Sequence, residues 1–282
     1  MTGLTIRAAS KVEFAIAVDW AAAEGWNPGL DDLAVFHGVD PAGFLMGFAG
    51  DEPVSSISVV RYGEGFGFLG FYIVHPDHRG TGLGIATWRA GMAHLGERTV
   101  GLDGVVAQQH NYRKSGFVLA GNNLRHTGTV AIDRADAAIA GIQRVTAADL
   151  PALIAYDRRH FPAPRDGFVR DWVTGPRTAL IAGRDGDIAG YGVIRACRTG
   201  FKIGPLFADD EAVAHDLFVA LCASLDGPAD VSLDTPDGNQ AAVRLAERFG
   251  LVPVFETARM YRGPAPASPT SSVFGVTTFE LG

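Results

Sequence analysis

Between residues 74 and 84 the chain reads V-H-P-D-H-R-G-T-G-L-G, and no other stretch restricts the fold as much. An apolar, strand-like segment at 65–74 leads into it, and a helix-like stretch, I-A-T-W-R-A-G-M-A-H-L, follows. Strand, glycine-rich turn and helix N-terminus in that order form a cradle for a pyrophosphate. The glycines let backbone N–H groups converge on phosphate oxygens with no Cβ in the way, and the helix dipole favours the anion. Arg79 adds charge. The run lacks the glycine spacing of the dinucleotide fingerprint G-x-G-x-x-G, and no Gly-Lys-Ser/Thr follows to make a P-loop. The expected binding turn comprises Arg79, Gly80, Thr81, Gly82, Leu83 and Gly84, entered from Ile73 and Val74.

The elements around this turn occur twice. The first half reads as strand 4–7, helices 11–24 and 30–36, strands 44–48, 54–62 and 66–74, and helix 84–96. Strand 100–102, a helix closed by Gly116 and strand 117–126 complete it. The second half repeats the order, from strand 142–145 to strand 252–261, at an offset of about 130 residues. A tandem duplication is expected, with domains at 1–130 and 131–282 and a connector at 131–141. After the linker G-P-A-P-A-S-P-T-S-S, the tail V-F-G-V-T-T-F-E-L-G is again strand-like, and is expected to pack back on one of the domains.

A hydrophobic content of 47% is ample for two cores, and no apolar run approaches the ~20 residues of a membrane span. The first residues show no signal-peptide pattern, and two cysteines make no disulfide framework, so a cytoplasmic protein is expected. A net charge of −7 argues against a nucleic-acid surface and agrees with a cationic substrate such as an amine. No metal-ligand spacing stands out. Oligomeric state is left open.

The pattern V-x-P-x-x-R-G-x-G-x-G resembles the acetyl-CoA signature of the GNAT N-acetyltransferase superfamily, and the order of elements is also that of the family. The resemblance implies an α/β (α+β) chain of two tandem GNAT-like domains, each with a mixed, largely antiparallel central sheet flanked by helices. It implies acyl transfer, acetyl first, from acetyl-CoA to a primary amine by direct attack in a ternary complex. Tyr112, in Y-R-K-S-G-F, matches the tyrosine that protonates the departing thiolate. The second copy has Ala246 there, and Asp209, Asp210 and Glu211 in place of the phosphate turn, so one acyl-CoA per chain is expected. That copy keeps the family's N-x-x-A at Asn239 and Ala242. The first has Val105 and Gln108 instead, which passes the pantetheine contact to Gln108, Gln109 or Asn111.

A base must take the amine's proton, and the strand at 66–74 carries no carboxylate; Glu64 only precedes it. Asp103 is the first candidate, with Glu52, His126 and His75 behind it, although Asp103 also reads as a cap of the next helix. For the acceptor, the loop joining the first two helices offers Trp26 as a face for a cation, with Asn27 in the same loop and Asp31 or Asp32 as counter-charge. Trp26 equally reads as a core anchor. A non-catalytic acyl-CoA sensor remains the alternative to an enzyme.

Overall fold

The computed structural model describes residues 3–133, 139–267 and 269–282, so part of the expected connector lies outside the described residues. The first unit comprises β1 (Leu4–Ala8), α1 (Lys11–Ala23), α2 (Asp32–Val39), β2 (Phe44–Ala49), β3 (Glu52–Tyr62), β4 (Phe66–Val74), α3 (Leu83–Leu95), β5 (Thr99–Val105), α4 (Gln109–Lys114) and β6 (Val118–Val130). The second repeats it as β7 (Ile142–Arg144), α5 (Leu150–Asp157), α6 (Asp166–Thr174), β8 (Thr178–Arg184), β9 (Asp187–Ala196), β10 (Phe201–Ala208), α7 (Glu211–Ala223), β11 (Ala229–Pro236), α8 (Gln240–Arg248) and β12 (Val252–Arg262). A short β13 (Val273–Gly275) follows. Local chemistry sets these boundaries. α1 begins at a capping box, in which Ser10 Oγ accepts from the Glu13 amide and the Glu13 carboxylate accepts from the Ser10 amide at 2.8 Å. β4, F-G-F-L-G-F-Y-I-V, is aromatic-rich and buried along most of its length, as a strand covered on both faces should be.

The strands form one sheet in the order β1-β2-β3-β4-β5-β12-β6-β11-β10-β9-β8-β7. Neighbours run antiparallel except β4 with β5 and β10 with β11. Both parallel ladders stop short, at Leu69↔Leu102 and at Ile203↔Leu233, and beyond those points the strands part. The two units keep the expected architecture but are joined through exchanged last strands. β6 leaves the first unit to pair with β11, and β12 leaves the second to pair with β5. The sheet therefore runs across the sequence division at residues 130 and 131, with the two exchanged strands paired to each other at its centre.

One apolar cluster runs through both units, from Phe14, Phe36 and Phe71 to Trp172, Tyr191 and Phe279. Reciprocal loops reinforce it. Asn27 Nδ2 donates to the Thr199 carbonyl at 2.8 Å and its Oδ1 accepts from the Thr199 amide at 3.0 Å. In the other direction, Phe161 packs edge-on against Tyr62 and Phe66.

The tail packs on both units. β13 pairs with β10 at Leu206↔Gly275 and Phe207↔Val273, and the Val276 amide donates to the Asp234 carbonyl at 2.9 Å, so the tail fills the parting between β10 and β11. Asn239 Nδ2 donates to the carbonyls of Ser271 and Val273 at 3.2 and 3.0 Å. The chain then crosses to the first unit, where Tyr62 Oη donates to the Leu281 carbonyl at 3.1 Å. Among the described residues no helix is long and apolar enough to cross a membrane.

Candidate active site

The parting of β4 from β5 opens a cavity of about 770 Å³. One end lies at the glycine-rich turn. Gly80 and Gly82 sit in the left-handed region, at φ +77° and +85°, and Gly82 is the N-cap of α3. The first-turn amides of α3 have no helical carbonyl to reach, so they stay free for an anion. Gly84 is needed for a different reason: a Cβ there would lie 2.8 Å from Val74 Cγ2 and 2.9 Å from the Tyr72 hydroxyl, so its absence lets the helix start rest on β4. Arg79 does more than supply charge. Its Nε donates to the Val74 carbonyl at 3.0 Å and its guanidinium pairs with Glu24, which ties the turn to the end of β4 and to α1. Thr81 Oγ1 donates to the His78 carbonyl at 2.6 Å, shaping the turn from outside the cavity lining, where Leu83 also lies.

Where the strands part, Phe71 adopts φ +45°, unusual for a residue with a Cβ, and the β3–β4 register shifts opposite it between Ser56 and Ser58. Ser56 Oγ donates to the Phe71 carbonyl at 2.8 Å and holds the bulge. The stretch of β4 beyond Leu69 has lost its β5 neighbour, which leaves backbone groups facing the cavity. Ile73 and Val74 line it further along.

Tyr112 also lines the cavity, stacked on Trp88 at a centroid distance of 5.7 Å. Its ring lies against β5 at Gly104, where any Cβ would collide with it. Burial pushes its pKa up to about 12, so the phenol keeps its proton at neutral pH. Tyr72, packed edge-on against the same Trp88, is raised by burial too. Asn111 lines the same end and donates to Gln108 Oε1 at 2.7 Å, placing two amide side chains where the family's asparagine is missing.

Asp103 reaches the cavity, but it is neither in a loop nor a helix cap. It lies inside β5, where Arg259 of β12 donates to both its oxygens at 2.7 and 2.6 Å and Asn123 adds a third bond at 2.8 Å. The other base candidates do not line the cavity. Glu52 faces His78 at 3.4 Å, His126 is buried beside Thr235, and His75 packs on Trp20. Of the expected acceptor residues, only Trp26 lines the cavity, and Asp32 is buried between Arg177 and Arg195. Asn27 is committed to Thr199, and Asp31 is exposed at the start of α2.

The remaining walls come from the second unit: Phe255 and Thr257 on β12, and Phe279 and Glu280 on the tail. Strand order alone could not have assigned them to this cavity, although the strand-like tail signalled a return. In the second unit the matching space is taken by β13. Asp210 caps α7 by accepting from the Val213 amide at 2.9 Å, at the position where the first unit has its glycines.

Comparison with known proteins agrees with this geometry. Residues 12–117 match the acetyltransferase (GNAT) family, and residues 153–275 match an acetyltransferase (GNAT) domain. The holothin acyltransferase of Pseudoalteromonas sp. (strain SANK 73390) is 33% identical over 281 residues, spanning 99% of this chain and 94% of that protein. A crystal structure from Pyrococcus horikoshii superposes with a TM-score of 0.82 at 21% identity, covering 100% of this chain and 97% of that one. A tandem GNAT protein from the clavulanic acid biosynthesis pathway superposes at 0.62 with 15% identity, covering 93% of this chain and all of that one.

Proposed function

The chain belongs to the acetyltransferase (GNAT) family, and on that premise we propose that it transfers an acyl group, acetyl first, from coenzyme A to the nitrogen of a small-molecule amine. One observation carries the reading: a single cavity connects the glycine-rich turn, the parted edge of β4 and Tyr112. In this reading the pyrophosphate rests on the first turn of α3, and the pantetheine arm lies between β4 and β5 beside Gln108 and Asn111. Amides on the free edge of β4 polarise the thioester carbonyl. The acceptor nitrogen attacks that carbonyl, and Tyr112 gives its proton to the departing thiolate. Holding both substrates in one site supplies much of the acceleration.

Trp26, Phe255 and Phe279 wall the cavity with aromatic surface drawn from both units, which suits a small acceptor better than a protein chain. The name of the Pseudoalteromonas relative gives holothin as its acceptor, so holothin heads the panel to be tried here. The test is thiol release from acetyl-CoA and longer acyl-CoAs in the presence of holothin, polyamines, amino acids, aminosugars and peptides. Turnover on one small-amine class supports the reading. Tight acetyl-CoA binding with no turnover on any amine would point instead to an acyl-CoA sensor.

A further inference from the structure

We infer that Glu280, carried into the first unit's cavity by the second unit's tail, is the carboxylate that takes the proton from the attacking acceptor nitrogen. The inference rests on the acyltransferase reading above.

Glu280 is only 5% exposed, yet it lines the cavity. Among the described residues its side chain makes no hydrogen bond and no ion pair. The other buried acids all have partners: Asp32 with Arg177 and Arg195, Asp40 with Arg61, Asp157 with Arg165, and Asp234 with Arg125. Asp103 has Arg259. A buried carboxylate left without a donor is costly to keep, so the exception calls for a use.

Its backbone is firmly placed. A Cβ on Gly70 would come within 2.9 Å of the Glu280 Cα and carbonyl carbon, so the tail presses on β4 at the first residue past the last β4–β5 pair. The Leu281 amide donates to Thr278 Oγ1 at 2.9 Å, closing the turn that presents Glu280. This is the throat of the parted strands, where β4 itself offers no carboxylate.

The electrostatics suit a base. Burial raises the pKa of Glu280. Lys202 on β10, Arg125 on β6 and Arg195 on β9 pull it back, while Asp32 on α2 pushes it further up. The net direction is upward, which makes a better proton acceptor near neutrality than a solvated glutamate.

The step balances. The nitrogen lone pair forms the C–N bond, and the N–H proton passes to the Glu280 carboxylate. Collapse of the oxyanion breaks the C–S bond, and the thiolate takes the Tyr112 proton. The products are the amide and free coenzyme A. Glu280 loses its proton to solvent, and Tyr112 regains one.

The experiment compares wild type, Glu280→Gln and Glu280→Asp on whichever amine turns over, with acetyl-CoA affinity measured by calorimetry. Glu280→Gln is expected to lower kcat about 10²-fold and to flatten the acidic limb of kcat/KM, while acetyl-CoA Kd stays within about twofold. Glu280→Asp should keep the limb with a reduced rate. If Glu280→Gln stays within about threefold of wild type with the limb unchanged, Glu280 is not the base, and the transferase reading stands because wild type turns over. Wild type that turns over no amine overturns both. Should Glu280→Gln fail to bind acetyl-CoA, Glu280→Ala with added formate decides: restored rate supports the assignment, and no rescue in a variant that still binds acetyl-CoA overturns it.

Discussion

Asp103 and Arg259 face each other across β5 and β12, joined by hydrogen bonds of 2.6 and 2.7 Å although 156 residues of chain separate them. The pair has a twin. Asp234 and Arg125 face each other across β11 and β6, both bonds at 2.7 Å. Each acid follows the residue that ends its parallel ladder, and each arginine arrives on the strand exchanged from the other unit. The pair recurs where β13 fills the cleft, so it belongs to the strand exchange itself.

Removing either acid leaves an arginine charge without its carboxylate, Arg125 buried and Arg259 half-buried. Asp103→Asn and Asp234→Asn are each expected to lower stability by about 3–5 kcal/mol. Urea unfolding followed by tryptophan fluorescence measures this, and similar losses for both variants would confirm the equivalence.

Tyr112→Phe is expected to lower kcat about 10²–10⁴-fold with little change in melting temperature, because the hydroxyl makes no hydrogen bond with a described residue. The phenol is protonated below its pKa of about 12, so it contributes no alkaline fall in rate across the neutral range. A Tyr112→Phe enzyme as fast as wild type would remove the residue from the mechanism.

Gly84→Ala places a methyl against Val74 and the Tyr72 hydroxyl and pushes the start of α3 off β4. A strain of about 1–3 kcal/mol is expected, read as weaker acetyl-CoA binding in calorimetry on a chain that still folds.

Asn239→Ala removes both the cap of α8 and the two bonds that hold the tail. A loss of about 1–2 kcal/mol is expected, with faster amide exchange at 273–276 by mass spectrometry. Acetyl-CoA titration of the wild-type chain should saturate at one site, because β13 occupies the second cleft; two sites would show that the tail yields.

Most of the element order was legible because each signal is local. The strand expected at 201–206 and its following helix are β10 and α7, and the turn at Arg79–Gly84 is where its glycine spacing placed it. The site was legible only on the side that one continuous segment builds. Asn27 illustrates the limit: it belongs to the loop expected to hold an acceptor, but Thr199, distant in the chain, takes both of its amide atoms.

By itself, the sequence determined the duplication, the glycine-rich turn, the phenol at Tyr112 and the absence of both from the second copy. Periodicity, glycine spacing and helix-cap chemistry act over a few residues, so they can be read without knowing the fold. The tertiary structure alone decided that β6 and β12 change places, that Asp103 is closed by Arg259, and that the tail fills one cleft and brings Glu280 to the other. Those outcomes depend on which distant strand satisfies an open edge and which buried charge finds a partner, and such long-range pairing leaves no local pattern in the chain.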